Sequence, residues 1–323
     1  MAKKFYKILD GTTKINEDTF IGHEKIHFVY IPYSVKTFDA LSFEGMDIGA
    51  LFVPHGFELP RGLNAAFYLG FKAEVYELKP DVFIDEEGVI FQGQQRLIGT
   101  VYGYDIDFHG EGFTEYNIPY GVEEICEDGF YGCQELESVH IPNTVKSIRG
   151  NDVRDAFVDC GKLRELHIPE SVVSLGPGIL PENLETLIIP EHLLGTALDQ
   201  LYSYYTIPNH LKKLHIIKGS ALPCEFAIPH PDWIKIKELE VDANCVNYSS
   251  IDGVLFNKQK TKLIWCPAGR EIREFTVPNT VEILGDLAFN GCEFLKQVTI
   301  PSSVQVISAM AFEGCDAQIV KID

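Results

Sequence analysis

The chain alternates apolar and polar positions in short bursts, and the bursts recur. In Leu136-Glu137-Ser138-Val139-His140-Ile141 every second residue late in the run is apolar, the mark of a strand that sends alternate side chains inward. A proline follows at 142, where it ends the strand without continuing a hydrogen-bonded ladder. Ile-Pro or Val-Pro returns at Ile31-Pro32, Val53-Pro54, Ile118-Pro119, Ile168-Pro169, Ile189-Pro190, Ile207-Pro208, Ile228-Pro229, Val277-Pro278 and Ile300-Pro301. Pro119, Pro142, Pro169 and Pro190 stand 23, 27 and 21 residues apart, and Pro278 and Pro301 again 23 apart. A period of that size means a stack of coils, each too small to close a core by itself.

One frame fills the interval between prolines. From Ile118 it runs through Val122, Ile125, Gly129-Phe130-Tyr131-Gly132-Cys133, Leu136 and Val139. From Val277 it runs through Val281, Ile283, Ala288-Phe289-Asn290-Gly291-Cys292, Leu295 and Val298, and from Ile300 it reaches Ala311-Phe312-Glu313-Gly314-Cys315. A degenerate copy carries Ala156-Phe157-Val158-Asp159-Cys160, Leu163 and Leu166, with extra residues around Arg149 to Arg154. The pattern Ala-Phe-x-x-Cys-x-x-Leu-x-x-Val-x-Ile-Pro-x-x-Val-x-x-Ile resembles the BspA-type leucine-rich repeats of bacteria and protozoan parasites. Ile251-Asp252-Gly253-Val254-Leu255-Phe256-Asn257, followed by Lys262-Leu263-Ile264-Trp265-Cys266-Pro267, resembles a segment that often precedes such repeats, and Glu87-Gly88-Val89-Ile90-Phe91 is a weaker echo of it.

The expected fold class is therefore an α/β repeat solenoid: a curved leucine-rich-repeat stack with short parallel strands on its concave face. Residues 1–323 read as one solenoid, with divergent N-terminal coils over 1–84, a repeat block over 85–190, irregular coils or an insert over 191–249, and a second repeat block over 250–323. Leu211 to Ile216 and Ile236 to Val241 read as coil strands, Leu193 to Tyr205 as a short amphipathic helix, and Ile319 to Ile322 as a final strand.

Positions between the inward residues should face outward on the concave sheet. They are Phe28 and Tyr30, Glu115 and Asn117, Ser138 and His140, Glu165 and His167, Thr186 and Ile188, Lys213 and His215, Glu238 and Glu240, Glu274 and Thr276, and Gln297 and Thr299. Phe28, Tyr30 and Phe52 form an expected aromatic patch, with Tyr202, Tyr204 and Tyr205 as a second cluster; aromatics favour interface hot spots, and burial beneath a neighbouring coil is the competing reading. His140, His167 and His215 share one slot, which raises a metal or acid–base site at His140 and His167; a solvated ladder of polar side chains is the plainer reading. Cys133, Cys160, Cys292 and Cys315 share another register, and beside Phe and Leu they read as small core residues rather than metal ligands.

Charge narrows the partners. With 27 Lys plus Arg against 47 Asp plus Glu, the net charge of -20 repels nucleic-acid phosphates and steers basic proteins inward. Asp10, Lys14, Glu17 and Asp18 interrupt any apolar signal segment, and no stretch has the roughly 20 apolar residues of a membrane helix. Cytoplasmic residence is the expectation, with surface display or secretion by another route as the alternative. No nucleophile elbow, phosphate loop or His-Glu-x-x-His is present, and Asp85-Glu86-Glu87 and Glu123-Glu124 read as solvated charge. The function expected is a non-enzymatic protein-interaction module without cofactor. Its partner surface comprises Phe28, Tyr30, Phe52, Glu115, His140, Glu165, His167, His215, Glu238 and Glu240. A cytosolic inhibitor of a basic toxin or effector and a surface adhesin are the alternatives; the resemblance supports interaction and adhesion.

Overall fold

A computed structural model describes residues 5–23, 25–39, 41–59, 62–63, 73–104, 112–150, 156–194, 210–219 and 236–323. The chain opens with a parallel sheet of the strands Phe5–Lys7, Phe28–Tyr30, Ala50–Val53 and Glu74–Glu77. Lys14–Ile15 and Thr37–Phe38 pair on an opposite wall. Between the walls Ile15, Phe20, Ile26, Val29, Ile31 and Leu51 fill a core of their own.

The central coils begin at an antiparallel meander of Val82–Ile84, Val89–Gln92 and Arg96–Thr100. The last of these pairs in parallel with Glu124–Ile125, and Ser147–Ile148 and Ser174–Leu175 continue that wall. Across the core, Glu115–Asn117 pairs with Ser138–His140, and Glu165–His167, Thr186–Pro190, Lys213–Ile217 and Glu238–Val241 carry this second wall onward. A second meander, Tyr248–Ile251, Val254–Asn257 and Lys262–Trp265, heads the C-terminal coils. Ile283–Leu284 and Val306–Ile307 extend it, while Glu274–Thr276, Gln297–Pro301 and Gln318–Ile322 form the opposite sheet. Both Gly-Val-x-Phe segments thus play one role: each meander hands its last strand to the parallel stack.

The coil repeats because its residues solve the same packing problem each time. Phe130 stacks on Phe157 at 5.4 Å and 3°, and Phe289 on Phe312 at 5.0 Å and 6°, close to the spacing of neighbouring strands. Between these phenylalanines the turns also join coil to coil: Phe130 N–H donates to Ala156 O, Gly132 N–H to Val158 O, and Phe289 N–H to Ala311 O. This ladder leaves the helical half of the α/β expectation unsupported among the described residues. Turn amides that bond to the next coil cannot serve the i−4 carbonyls of a helix, so the solenoid is one of stacked strands. Helical structure among the described residues comprises the 3-10 segments Glu17–Phe20, Val101–Tyr104 and Glu191–Leu193 and the residues 62–63. The helix expected over Leu193 to Tyr205 begins in the last of those segments, and from residue 195 it lies outside the described residues, as do Tyr202, Tyr204 and Tyr205.

Candidate functional site

On this second wall of the central coils each three-residue strand buries its middle side chain and exposes the two that flank it. Tyr116, Val139 and Leu166 point into the core, while Glu115, Asn117, Ser138, His140, Glu165 and His167 are exposed. Register then aligns the outward positions across strands. Asn117 stands opposite His140, His167 opposite Ile188, Ile188 opposite His215, and His215 opposite Glu240. A second row sets Glu115 opposite Ser138, Glu165 opposite Thr186, Thr186 opposite Lys213, and Lys213 opposite Glu238. The strands of His140 and His167 lie side by side.

The histidines differ in surroundings. His167 is held below the ordinary imidazole range, chiefly because neighbouring side chains strip it of water, with Glu165 opposing and the His140 and His215 charges adding to the effect. His215 is half-buried; its Nε2 meets Asp242 Oδ1 at 2.8 Å, and Glu240 Oε2 lies 4.0 Å from its Nδ1. Glu240 also pairs with Lys213 Nζ at 3.0 Å, so this end of the sheet is a network of compensated charges. Ile188 separates His167 from His215. Among the described residues no three His, Cys, Asp or Glu side chains are grouped to hold a metal ion.

The aromatic patch expected at Phe28, Tyr30 and Phe52 is corrected. Phe28 and Phe52 are both 0% exposed, and Tyr30 is half-buried. They share a core with Phe5, Ile84, Val89, Val101 and Tyr102, because the outer face of the N-terminal sheet is packed on the first meander and the turn after it. Phe28 meets Tyr102 edge-on at 5.8 Å, and Lys7 Nζ donates to Ile84 O at 2.9 Å and pairs with Glu86 at 3.2 Å. Gly88, at φ +88°, lets the layers approach: a Cβ there would come within 2.7 Å of Val101 and 3.3 Å of Phe5. Phe28 and Phe52 serve an internal interface and are removed from the partner surface, while Tyr30 at its edge is half-covered.

Cys133, Cys160 and Cys292 are buried, while Cys315, on the last coil, is half-covered. Burial pushes Cys133 up to about 12 and Cys160 well above the usual thiol range. Two carboxylates that the sequence reads as solvated charge have structural partners instead. Asp85 Oδ1 accepts the N–H groups of Glu87 and Val89 at 2.9 Å each while Oδ2 accepts the Tyr116 hydroxyl, tying the meander to the strand Glu115–Asn117. Glu124 lies in a strand and pairs with Arg96 at 3.0 Å and with Arg149. Their signals are the Asp-x-x-Gly turn at 85–88 and the strand period at 124.

No helix among the described residues is long and apolar enough to cross a membrane. No curated protein sequence matches the chain. Solved structures similar to it include a leucine-rich repeat protein of Eubacterium ventriosum, 23% identical with a TM-score of 0.47, the match covering 75% of this chain and 66% of that one. A leucine-rich repeat protein of Bacteroides ovatus is 16% identical with a TM-score of 0.43, covering 98% and 77%. A leucine rich cell surface protein of Faecalibacterium prausnitzii is 18% identical with a TM-score of 0.28, covering 100% and 70%. The family model for the BspA type leucine rich repeat region matches in 6 copies, over residues 4–68, 104–216 and 267–323. The intervals between those matches hold the two antiparallel meanders, and the matched residues make up most of the chain, which belongs to the BspA-type leucine-rich repeat family.

Proposed function

We propose that the chain is a non-enzymatic protein-binding module whose contact surface is the concave sheet of the central coils. Leucine-rich repeat folds commonly serve protein interaction, and a stack of hydrogen-bonded strands loses little freedom on binding. The observation that carries the reading is the double row of outward positions from Glu115 to Glu240, in which Glu115, His140, Glu165, His167, Glu238 and Glu240 are open to solvent, Thr186, Ile188, Lys213 and His215 are half-buried, and the alternate residues of each strand are anchored in the core. The contact surface excludes Phe28 and Phe52 and retains His215 at its charged end. The same proposal takes residues 1–323 as one solenoid with coils grouped as 1–84, 85–190, 191–249 and 250–323.

A basic partner is the second element, favoured by the net charge of -20 and by the exposed Glu115, Glu165, Glu238 and Glu240. The test is capture on the immobilised chain from native lysate and from host extracellular proteins, at low and moderate salt. A Glu165→Lys, Glu238→Lys, Glu240→Lys variant serves as control. A protein held by the native chain, lost from the variant and released as salt rises supports this reading; an extracellular protein held in the same way points to adhesion. Capture unaffected by the triple substitution overturns the concave-face assignment.

A further inference from the structure

The C-terminal coils contain a thiol pair outside the concave face. The strand Lys262–Trp265 delivers the chain to Cys266, 1% exposed, and Cys292, 4% exposed, follows the stacked Phe289 of the next coil. The Cys292 Sγ donates toward the carbonyl oxygen of Cys266 at 3.5 Å, which seats that sulfur against the Cys266 residue. The central coils hold the equivalent place differently. There the strand Arg96–Thr100 ends on Thr100, whose hydroxyl lies 3.5 Å from the Sγ of Cys133, the cysteine that follows Phe130. A thiol therefore stands in the second block where the first carries a hydroxyl.

A cation accompanies the substitution. Arg270 belongs to the turn just past Cys266, its N–H bonded to Pro267 O at 3.3 Å. Its guanidinium rests on the meander turn at Gly253, where a Cβ would come within 3.3 Å of Cζ. The Nη1 of Arg270 is buried and has no hydrogen-bond partner among the described residues. The Cys292 donor and the Arg270 guanidinium both hold Cys266 below the ordinary thiol value, and the thiolate so favoured, together with burial, pushes Cys292 up. Cys133, beside a hydroxyl and no arginine, is pushed up by burial, with the Thr100 hydroxyl opposing. A buried guanidinium N–H lacking an acceptor is costly, and a thiolate beside it supplies the missing negative charge.

We propose that Cys266 and Cys292 are a peroxide-sensitive pair that closes to an intramolecular disulfide, with Cys266 as the attacking sulfur and Arg270 as its positioning residue. The Cys266 thiolate attacks one oxygen of hydrogen peroxide and breaks the O–O bond, giving a sulfenic acid and hydroxide, which takes up a proton to become water. The Cys292 sulfur then attacks the Cys266 sulfur and displaces the hydroxyl, which leaves as water with the Cys292 proton. Two thiols lose two electrons and two protons, and one peroxide becomes two waters. Peroxide is small enough to reach a site whose sulfurs are nearly covered, and the place of the Cys292 sulfur against Cys266 favours closure over further oxidation.

The test is mapping of thiols in the full chain after hydrogen peroxide treatment, with alkylation under denaturing conditions and peptide mass spectrometry without reductant. The expected product is a Cys266–Cys292 cross-linked peptide about 2 Da lighter than the two thiol peptides together, restored by dithiothreitol, with Cys133 and Cys160 fully alkylated. Cys266→Thr, which installs the residue used by the central coils, should leave Cys292 alkylatable. Arg270→Gln should slow cross-linking about tenfold at neutral pH, with the difference shrinking as pH rises and the thiol ionises unaided. The proposal is overturned if Cys266 and Cys292 remain alkylatable while Cys315 is oxidised, or if Cys133 oxidises as fast as Cys266. The wild-type map decides this even where a variant fails to fold.

Discussion

Glu191 shows how a single residue can hold two parts of the stack together. Its carboxylate is 0% exposed, and its oxygens accept the backbone N–H groups of Val246 and Asn247 at 2.8 Å each. The bonds cross from the end of the strand Thr186–Pro190 to the turn that enters the second meander. Hydrogen bonds to a charged acceptor contribute about 1.5–3 kcal/mol each, and loss of the acceptor leaves two amides to find water at a partly covered turn. Glu191→Ala is expected to lower stability by about 2–4 kcal/mol, read as a fall in the urea midpoint at unchanged slope. Glu191→Gln keeps one acceptor oxygen and should cost about half as much. Equal loss in both variants would assign the effect to side-chain volume and remove the carboxylate from its role as anchor.

At the scale of the element, backbone contact between coils is as demanding as side-chain packing. Gly176 follows the strand Ser174–Leu175, and a Cβ added there would lie 2.1 Å from the amide nitrogen of Gly150 on the preceding coil. Gly176→Ala must push two coils apart, so a loss of about 3 kcal/mol or more is expected in chemical denaturation; Gly161→Ala, with nothing within 4 Å, should cost much less. Much of this element level is legible in the chain. The alternation in Glu115-Tyr116-Asn117, Ser138-Val139-His140 and Glu165-Leu166-His167 identifies three strands and the side chains they expose. The same rule, carried to Phe28-Val29-Tyr30 and Ala50-Leu51-Phe52-Val53, misplaces Phe28 and Phe52, yet those runs carry their own signal. They are apolar at every position, as strands covered on both faces are. What covers them is not legible, because the meander comes some 30 residues later in the chain. The helical part of the expectation finds no support among the described residues for a related reason: whether turn amides bond within a turn or to the next coil depends on stacking, which local propensity does not encode. Cys266 escaped because it stands outside the Ala-Phe-x-x-Cys frame, and only its equivalence to Thr100 at the end of each meander's last strand brings it out.

For the whole molecule, the decisive contact is the one that turns the N-terminal sheet inward. In a linear stack each coil touches only its neighbours, and stability is close to a sum of nearest-neighbour terms. Here the N-terminal coils also rest an entire sheet face, through Phe5, Phe28 and Phe52, on the meander that heads the central coils. The coils that hold Val29, Ile31 and Leu51 have a separate core, so docking and internal packing can be separated experimentally. Phe52→Asp places a charge in the docking layer while leaving Leu51 in its own core. Burial of an unpaired carboxylate costs several kcal/mol, more than one such interface can absorb without opening. The expected outcome is a single calorimetric transition in the native chain and two in Phe52→Asp, the earlier one belonging to the N-terminal coils. Phe52→Leu, which keeps the layer apolar, should retain one transition at a lower Tm. Partner capture should survive in Phe52→Asp, since the row from Glu115 to Glu240 belongs to the central sheets. If Phe52→Asp instead unfolds in one transition, the N-terminal face is part of a single cooperative core; if capture is lost while the central coils stay folded, that face takes part in binding after all.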